Sequence, residues 1–383
     1  MTNGTLKAAF CRGGTSKAVL FNGADLPEDR ASRDRIFLHV LGSPDAYGRQ
    51  LDGMGGGLSS LSKVVIVERS ARTDADLDYT FVQIAVDKPV ADYGAMCGNM
   101  ASAVGPFAID EGIIKAEDGL VKVRIHNTNT KKLFDARFEV ANGKTVEVGD
   151  FSIPGISQLG ARIQLDFLDP GGAATGKLLP TGNVIDRLIV GEEEIQASMV
   201  DASNPVVFIR AEDVGLTGTE SPDALDVATS LMMRLDQIRR SAAVAMGMAQ
   251  SPQDALLSNP KIALIAPPHT FDALDGHHYA SSEGHLSVRL VSMGNVHRAI
   301  TLTGAMCVAV AARIPGTLVH SIVKADVSEN ILVANPSGIL PVKARVETDG
   351  RGLKALSTTT FRTQRRIMSG LVHYPTSLLE RSK

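Results

Sequence analysis

The spacing of apolar and polar positions divides the chain into short strand-like runs and helices built from small side chains. Residues 8–11 and 18–21 are apolar runs flanking Arg12-Gly13-Gly14-Thr15-Ser16-Lys17, and they predict two strands joined by a glycine turn. Residues 27–41 carry helical spacing through Ile36, Phe37, Val40 and Leu41, and Gly42 stops the helix. Residues 64–67 read as a strand, and residues 79–90 as a longer one. Cys97-Gly98-Asn99 then opens a helix of Ala, Ser, Gly and Val that runs to Ile109, with Asn99 as the expected cap. Residues 123–130, running on to Phe138 and Val140, predict a hairpin.

The second half repeats this arrangement. A strand-like run at 286–293 precedes Thr301-Leu302-Thr303-Gly304-Ala305, which opens a second small-residue helix ended by Pro315 and Gly316. A hairpin-like segment at 331–338 follows and runs on to Ala344 and Val346. Self-similarity at a separation of about 200 residues predicts two pseudo-equivalent domains. The Gly- and Ala-rich segment 172–181 is the expected crossover, giving an N-terminal domain of 1–183 and a C-terminal domain of 184–365. A C-terminal strand, about 366–383, is expected to return to the first domain. Between these landmarks, 198–209 and 261–266 read as strands bracketing a helical stretch at 222–248, whose methionines are core filler. The tail, 355–374, reads as a strand, a basic turn (Arg362, Arg365, Arg366) and another strand.

Composition narrows the function classes. A chain of 383 residues with 44% hydrophobic and 21% charged residues is ordinary for a soluble globular protein and long enough for two cores. A net charge of −3 offers no electrostatic reason to bind nucleic acid or an anionic membrane. With aromatics at 4% and no tryptophan, platforms for base stacking are not expected. No apolar run reaches the length of a membrane span, and the start lacks the layout of a signal peptide. The three cysteines, Cys11, Cys97 and Cys307, are odd in number and widely spaced, which fits a reducing cytoplasm and no disulfide framework. No metal-ligand spacing is present, and His277, His278 and His285 read as solvated loop.

The candidate chemistry gathers at the two helix starts. The first N–H groups of a helix lack intrahelical partners and sit at its positive end, so Gly98 and Asn99, and Thr303, Gly304 and Ala305, are candidates for holding a carboxylate. Cys97 reads either as a buried structural thiol or as a thiol biased toward thiolate by that helix end. Ser16 and Lys17 in the glycine turn supply a hydroxyl and a charge. Asp52-Gly53-Met54-Gly55-Gly56-Gly57 leads to Ser62-Lys63 at the mouth of an apolar strand. Lys63 is either edge punctuation or a lysine whose desolvation makes it a usable general base.

Taken in order, these pieces resemble the PrpF family, which includes methylitaconate isomerase, 2-methylaconitate isomerase and 4-oxalomesaconate tautomerase. The resemblance spans essentially the whole chain. It rests on residues 12–17, Gly42-Ser43-Pro44-Asp45, residues 52–56 with Ser62-Lys63, Cys97-Gly98-Asn99 with residues 104–109, His126-Asn127-Thr128-Asn129-Thr130, residues 179–183 and residues 312–317. It implies the α+β fold of diaminopimelate epimerase: two domains, each a mixed, largely antiparallel sheet wrapped around a central helix, with the active site in the interdomain cleft and no cofactor or metal. In that wider fold two cysteines act as acid and base. Cys97 matches the first, whereas the second place falls near Thr301, and Cys307 lies several residues deeper in the helix. In the isomerase family the base is thought to be the lysine of the Ser-Lys pair, Lys63 here.

The implied reaction is a 1,3-proton shift that moves a C=C bond in a small polycarboxylate. It needs one base at carbon, a proton returned at the far allylic position, and donors aimed at the carboxylate of the extended enolate. The partner expected is that small polycarboxylate, with a homodimer left open. Two other readings stand beside it: a racemase or epimerase of an amino or hydroxy acid, and a non-enzymatic accessory protein to an aconitase-like enzyme.

Overall fold

The computed structural model describes residues 3–94, 96–257, 259–323, 329–350 and 352–379. Strands and helices are mixed along the chain, and strands predominate. No helix among the described residues is long and apolar enough to cross a membrane. The chain forms two compact units, Met1–Asp166 with Phe361–Lys383, and Phe167–Thr360.

In the first unit the hairpin Asn3–Gly13 and Ser16–Asn22 turns at Gly14, whose φ of +49° suits glycine. Ser16–Asn22 runs parallel to Lys63–Arg69, which pairs antiparallel with Leu77–Ile84. Leu77–Ile84 is parallel to Gly119–Asn127, and that strand pairs antiparallel with Lys132–Ala141. On the other edge, Gln364–Pro375 pairs antiparallel with Asn3–Gly13, so the last strand of the chain completes the sheet begun by the first. Each parallel pair needs a crossover, and two helices provide them: Arg30–Leu41 and Gly98–Asp110.

These helices explain the alternation along the strands. Val19, Phe21, Val64, Ile66, Val82 and Ile84 pack in one cluster with Ile36, Phe37, Val40 and Leu41 of the first helix. Their neighbours in sequence point to the other face, where the Tyr79 hydroxyl reaches the carbonyl of Cys97 at the head of the second helix. From Met100 to Ile109 every residue of that helix is buried. Its small side chains are a packing requirement, since a Cβ on Gly105 would lie 2.5 Å from the Phe138 ring.

The second unit has its own mixed sheet. Asp186–Val190, Glu193–Ala202 and Asn204–Arg210 form an antiparallel series. Asn204–Arg210 is parallel to Lys261–Ala266, which is antiparallel to Leu286–Ser292. Leu286–Ser292 is parallel to Asn330–Asn335, which continues antiparallel to Gly338–Asp349 and then to Gly352–Arg362. Helices Thr229–Ala245 and Leu302–Ala312 lie in the two crossovers. The order of antiparallel and parallel neighbours matches that of the first unit.

The structure revises several element boundaries. The run 198–209 is two strands, because Ser203 takes a φ of +63° and turns the chain back on itself. The strand expected at 79–90 is Leu77–Ile84, after which Ala91–Asp92 folds back to pair with Gln83 and Ile84. The helical stretch 222–248 is Pro222–Asp226 and Thr229–Ala245, broken where Ala228 leaves helical geometry at ψ 69°. The basic turn in the tail contracts to Thr363, with Arg362 ending one strand and Arg365 and Arg366 inside the next. The cap of the first small-residue helix is Cys97, not Asn99.

Candidate active site

Lys63 is the first residue of its strand, on the face opposite Val64 and Ile66. That places its stem under the head of the Gly98–Asp110 helix. Its Nζ donates to Gln83 Oε1 at 2.5 Å and lies 5.0 Å from the centre of the Phe81 ring. Burial pushes the ammonium below the ordinary lysine value, and charge on Cys97 acts in the opposite direction. The two groups are therefore within electrostatic reach of each other.

Cys97 occupies the N-cap and is half-buried, and it makes no side-chain capping bond. Its carbonyl accepts from Tyr79 Oη at 2.9 Å and from the Ala101 N–H at 3.2 Å, which fixes the helix start. Its Sγ lies 4.0 Å from Ser16 Oγ, and Ser16 is buried. The N–H groups of Gly98, Asn99 and Met100 have no hydrogen-bond partner among the described residues. Three donors at the positive end of a helix, beside a thiol, a hydroxyl and a buried amine, can hold a carboxylate and move a proton next to it.

The glycine turn is shaped by the same helix start. A Cβ on Gly13 would lie 2.8 Å from the Asn99 carbonyl, and one on Gly14 would lie 2.4 Å from Asn99 Oδ1. Asn99 donates Nδ2 to Thr15 Oγ1 at 3.0 Å and accepts from Arg362 Nε at 3.1 Å, so its side chain ties the turn to the helix. Arg362 is buried, and desolvation pushes its value down to about 10.

The other expected residues fall elsewhere. Lys17 alternates with Ser16 and so points to the opposite sheet face, with Nζ 5.5 Å from the Phe10 ring. Ser62 is wholly buried, and its hydroxyl is within donating distance of Gln50 Oε1 (2.5 Å) and the Leu58 carbonyl (2.9 Å). Gln50 organises the glycine-rich loop before Lys63, accepting from the Gly57 N–H at 2.9 Å and donating to Ser43 Oγ at 2.7 Å.

In the second unit, Thr303, Gly304 and Ala305 lie at the head of Leu302–Ala312, which Thr301 caps by accepting the Gly304 N–H at 3.1 Å. Gly304 and Ala305 are buried and Thr303 is half-buried. Cys307 is fully buried with Sγ 3.3 Å from the Val200 carbonyl, and burial pushes its thiol up. Cys11 is also buried, its thiol pushed up to about 12 by desolvation. Both are core thiols.

Gln83, Tyr79, Gln50 and Arg362 were not singled out from the sequence. The signal for two of them was present: Tyr79, Phe81 and Gln83 are alternate residues of one strand, so a polar group at Gln83 shares the helix-facing side with Tyr79. Arg362 was legible only as one member of a basic turn, and for Gln50 no local pattern exists. The motif at 126–130 belongs to the framework, since Asn129 both accepts from the Phe81 N–H (2.8 Å) and donates to the Phe81 carbonyl (2.9 Å).

A family model described as PrpF protein matches residues 4–375. The chain is 41% identical over 373 residues to 3-methylitaconate isomerase of Eubacterium barkeri, covering 96% of this chain and 97% of that protein. It is 37% identical over 382 residues to 2-methyl-aconitate isomerase of Shewanella oneidensis, covering 96% of each. A crystal structure of methylitaconate-delta-isomerase matches with a TM-score of 0.88 and 38% identity, covering 100% of this chain and 98% of that one.

Proposed function

Because the chain belongs to the PrpF family, we propose that it is an isomerase that moves a C=C bond by a 1,3-allylic proton shift. The substrate is a small unsaturated di- or tricarboxylate of the methylitaconate, 2-methylaconitate or 4-oxalomesaconate type. The observation that carries this reading is the meeting of buried Lys63, Ser16 and the half-buried Cys97 below unpartnered helix N–H groups.

The residues divide the work as follows. Lys63 in its neutral form takes a proton from the allylic carbon, and burial, which lowers its basicity, favours that form. The resulting enolate extends onto a carboxylate, where the Gly98 and Asn99 N–H groups and the Ser16 hydroxyl stabilise the developing charge. Lys63 or Cys97 returns the proton at the far end of the allylic system. Lys17 has no part in this, because it lies on the other face of the sheet. Thr303, Gly304 and Ala305 remain proposed carboxylate contacts, with two donors fewer than expected, since Thr301 takes the Gly304 N–H on its hydroxyl and the Ala305 N–H on its carbonyl. The matching order of strand pairings in the two units supports their reading as pseudo-equivalent halves.

The test is a panel of the three acids incubated with purified protein in D2O and followed by proton NMR. Migration of an alkene signal with deuterium entering the allylic carbon is the expected result. Exchange at a stereocentre with no movement of the alkene would make the protein an epimerase instead. Turnover only in the presence of an aconitase-like enzyme would make it an accessory protein.

A further inference from the structure

Gln83 is the group nearest to Lys63 Nζ by hydrogen bonding, and its own geometry is over-determined. Its Nε2 faces three backbone carbonyls, of Ser62 at 2.9 Å, Ser59 at 3.0 Å and Ile84 at 3.3 Å. Carbonyls accept and do not donate, so the nitrogen end must lie there and the oxygen end must face Lys63. The amide orientation follows from the network and does not depend on telling O from N. Lys63 and Gln83 are also direct cross-strand partners, so the backbone register keeps their side chains side by side. The Ser59 and Ser62 carbonyls belong to the loop entering the Lys63 strand, so one amide links loop, strand and amine.

We infer that Gln83 is a positioning residue for Lys63, holding Nζ in one place with a neutral acceptor. The inference rests on the reading of Lys63 as the base. A neutral acceptor matters chemically. It orients the amine and supports the ammonium by one hydrogen bond, without the coulombic pull of a carboxylate that would keep the lysine protonated. The titratable groups around the pair are few. Cys97 from the helix head acts on Lys63 directly. Tyr79, on the Gln83 strand, gives its hydroxyl to the Cys97 carbonyl. Asp92, the register partner of Gln83 on the next short strand, accepts from the Gly94 N–H at 2.7 Å.

Two variants of near-equal length test this in opposite directions. Gln83→Glu places an anion on Nζ and is expected to raise the titration midpoint of Lys63 by about 1–3 pH units. Gln83→Met removes the acceptor from the buried amine of Lys63 and is expected to lower the midpoint. The midpoint is read by competitive acetylation of Lys63 across pH with mass spectrometry, and the acid limb of kcat/KM is expected to move with it. An unmoved midpoint in both variants overturns the inference. A midpoint that moves while the kcat/KM profile stays still upholds the role of Gln83 and instead removes Lys63 as the base.

Discussion

Arg362 donates Nε–H to Asn99 Oδ1 at 3.1 Å, joining two residues 263 apart in sequence. The other end of the same amide donates to Thr15 Oγ1 at 3.0 Å. Asn99 thus connects the last part of the chain to the first glycine turn, at the point where the helix N–H groups are unpartnered. Asn99→Ala leaves a buried guanidinium short of an acceptor and is expected to cost about 1–3 kcal/mol of stability. With the turn and helix start no longer tied, KM is expected to rise more than kcat falls. Urea denaturation and steady-state kinetics check both parts, and an unchanged midpoint with unchanged KM would count against this role.

Lys63→Met is expected to keep the fold and to lower turnover by about 10²–10⁴-fold, the range of acid–base groups. Near-normal turnover would exclude Lys63 as the base. The pH dependence has a definite sign. The base works when neutral, so kcat/KM rises with pH through a folded-state value that burial holds below 10.5. Between that lowered value and 10.5 the unfolded chain binds more protons than the folded one, so this lysine makes stability rise with pH across the window. The stability of the parent relative to Lys63→Met is therefore expected to increase from neutral pH toward the alkaline end of the window. Urea midpoints of the two proteins at several pH values give this slope.

Thiol chemistry separates the three cysteines. Cys11 is 2% and Cys307 0% exposed, whereas Cys97 is half-buried at the helix head. Iodoacetamide is expected to modify Cys97 first in the native protein, with Cys11 and Cys307 reacting only on unfolding. Mass spectrometry of the labelled peptides checks the order. Cys97→Ser should remove the fast phase and weaken turnover without abolishing it. Complete loss in Cys97→Ser with mild loss in Lys63→Met would reverse the two assignments.

Gly105→Ala introduces a methyl group 2.5 Å from the Phe138 ring, too close for either to stay in place. Overpacking of this kind is expected to cost about 1–3 kcal/mol, despite the better helix propensity of alanine. Thermal denaturation is the measurement. A gain in stability would show that the helix is small-sided for some reason other than its distance from the sheet.

Local pattern by itself determined the glycine hairpin, the helix ended by Gly42, the two small-residue helices and the hairpins after them. In the hairpins and the helix ended by Gly42, burial on one face writes a repeat of two or 3.6 residues into the chain, whereas the two small-residue helices, buried nearly all round, show as unbroken runs of small and apolar side chains. The same local patterns marked Lys63 and Cys97 as unusual, one a charge at the mouth of an apolar run and the other a thiol before a helix of small residues. Which side a residue faces was legible only in part. Ser16 and Lys17 are neighbours that both suit an anion, yet strand alternation sends one to Cys97 and the other to Phe10. Asn99 suited a cap, but the helix began two residues earlier and its amide was taken by Thr15 and Arg362. Gln83, Gln50 and Arg362 acquired their roles from partners up to hundreds of residues away. A hydrogen bond between such partners depends on register and crossover geometry and leaves no periodic trace in the sequence, so only the tertiary structure decides it.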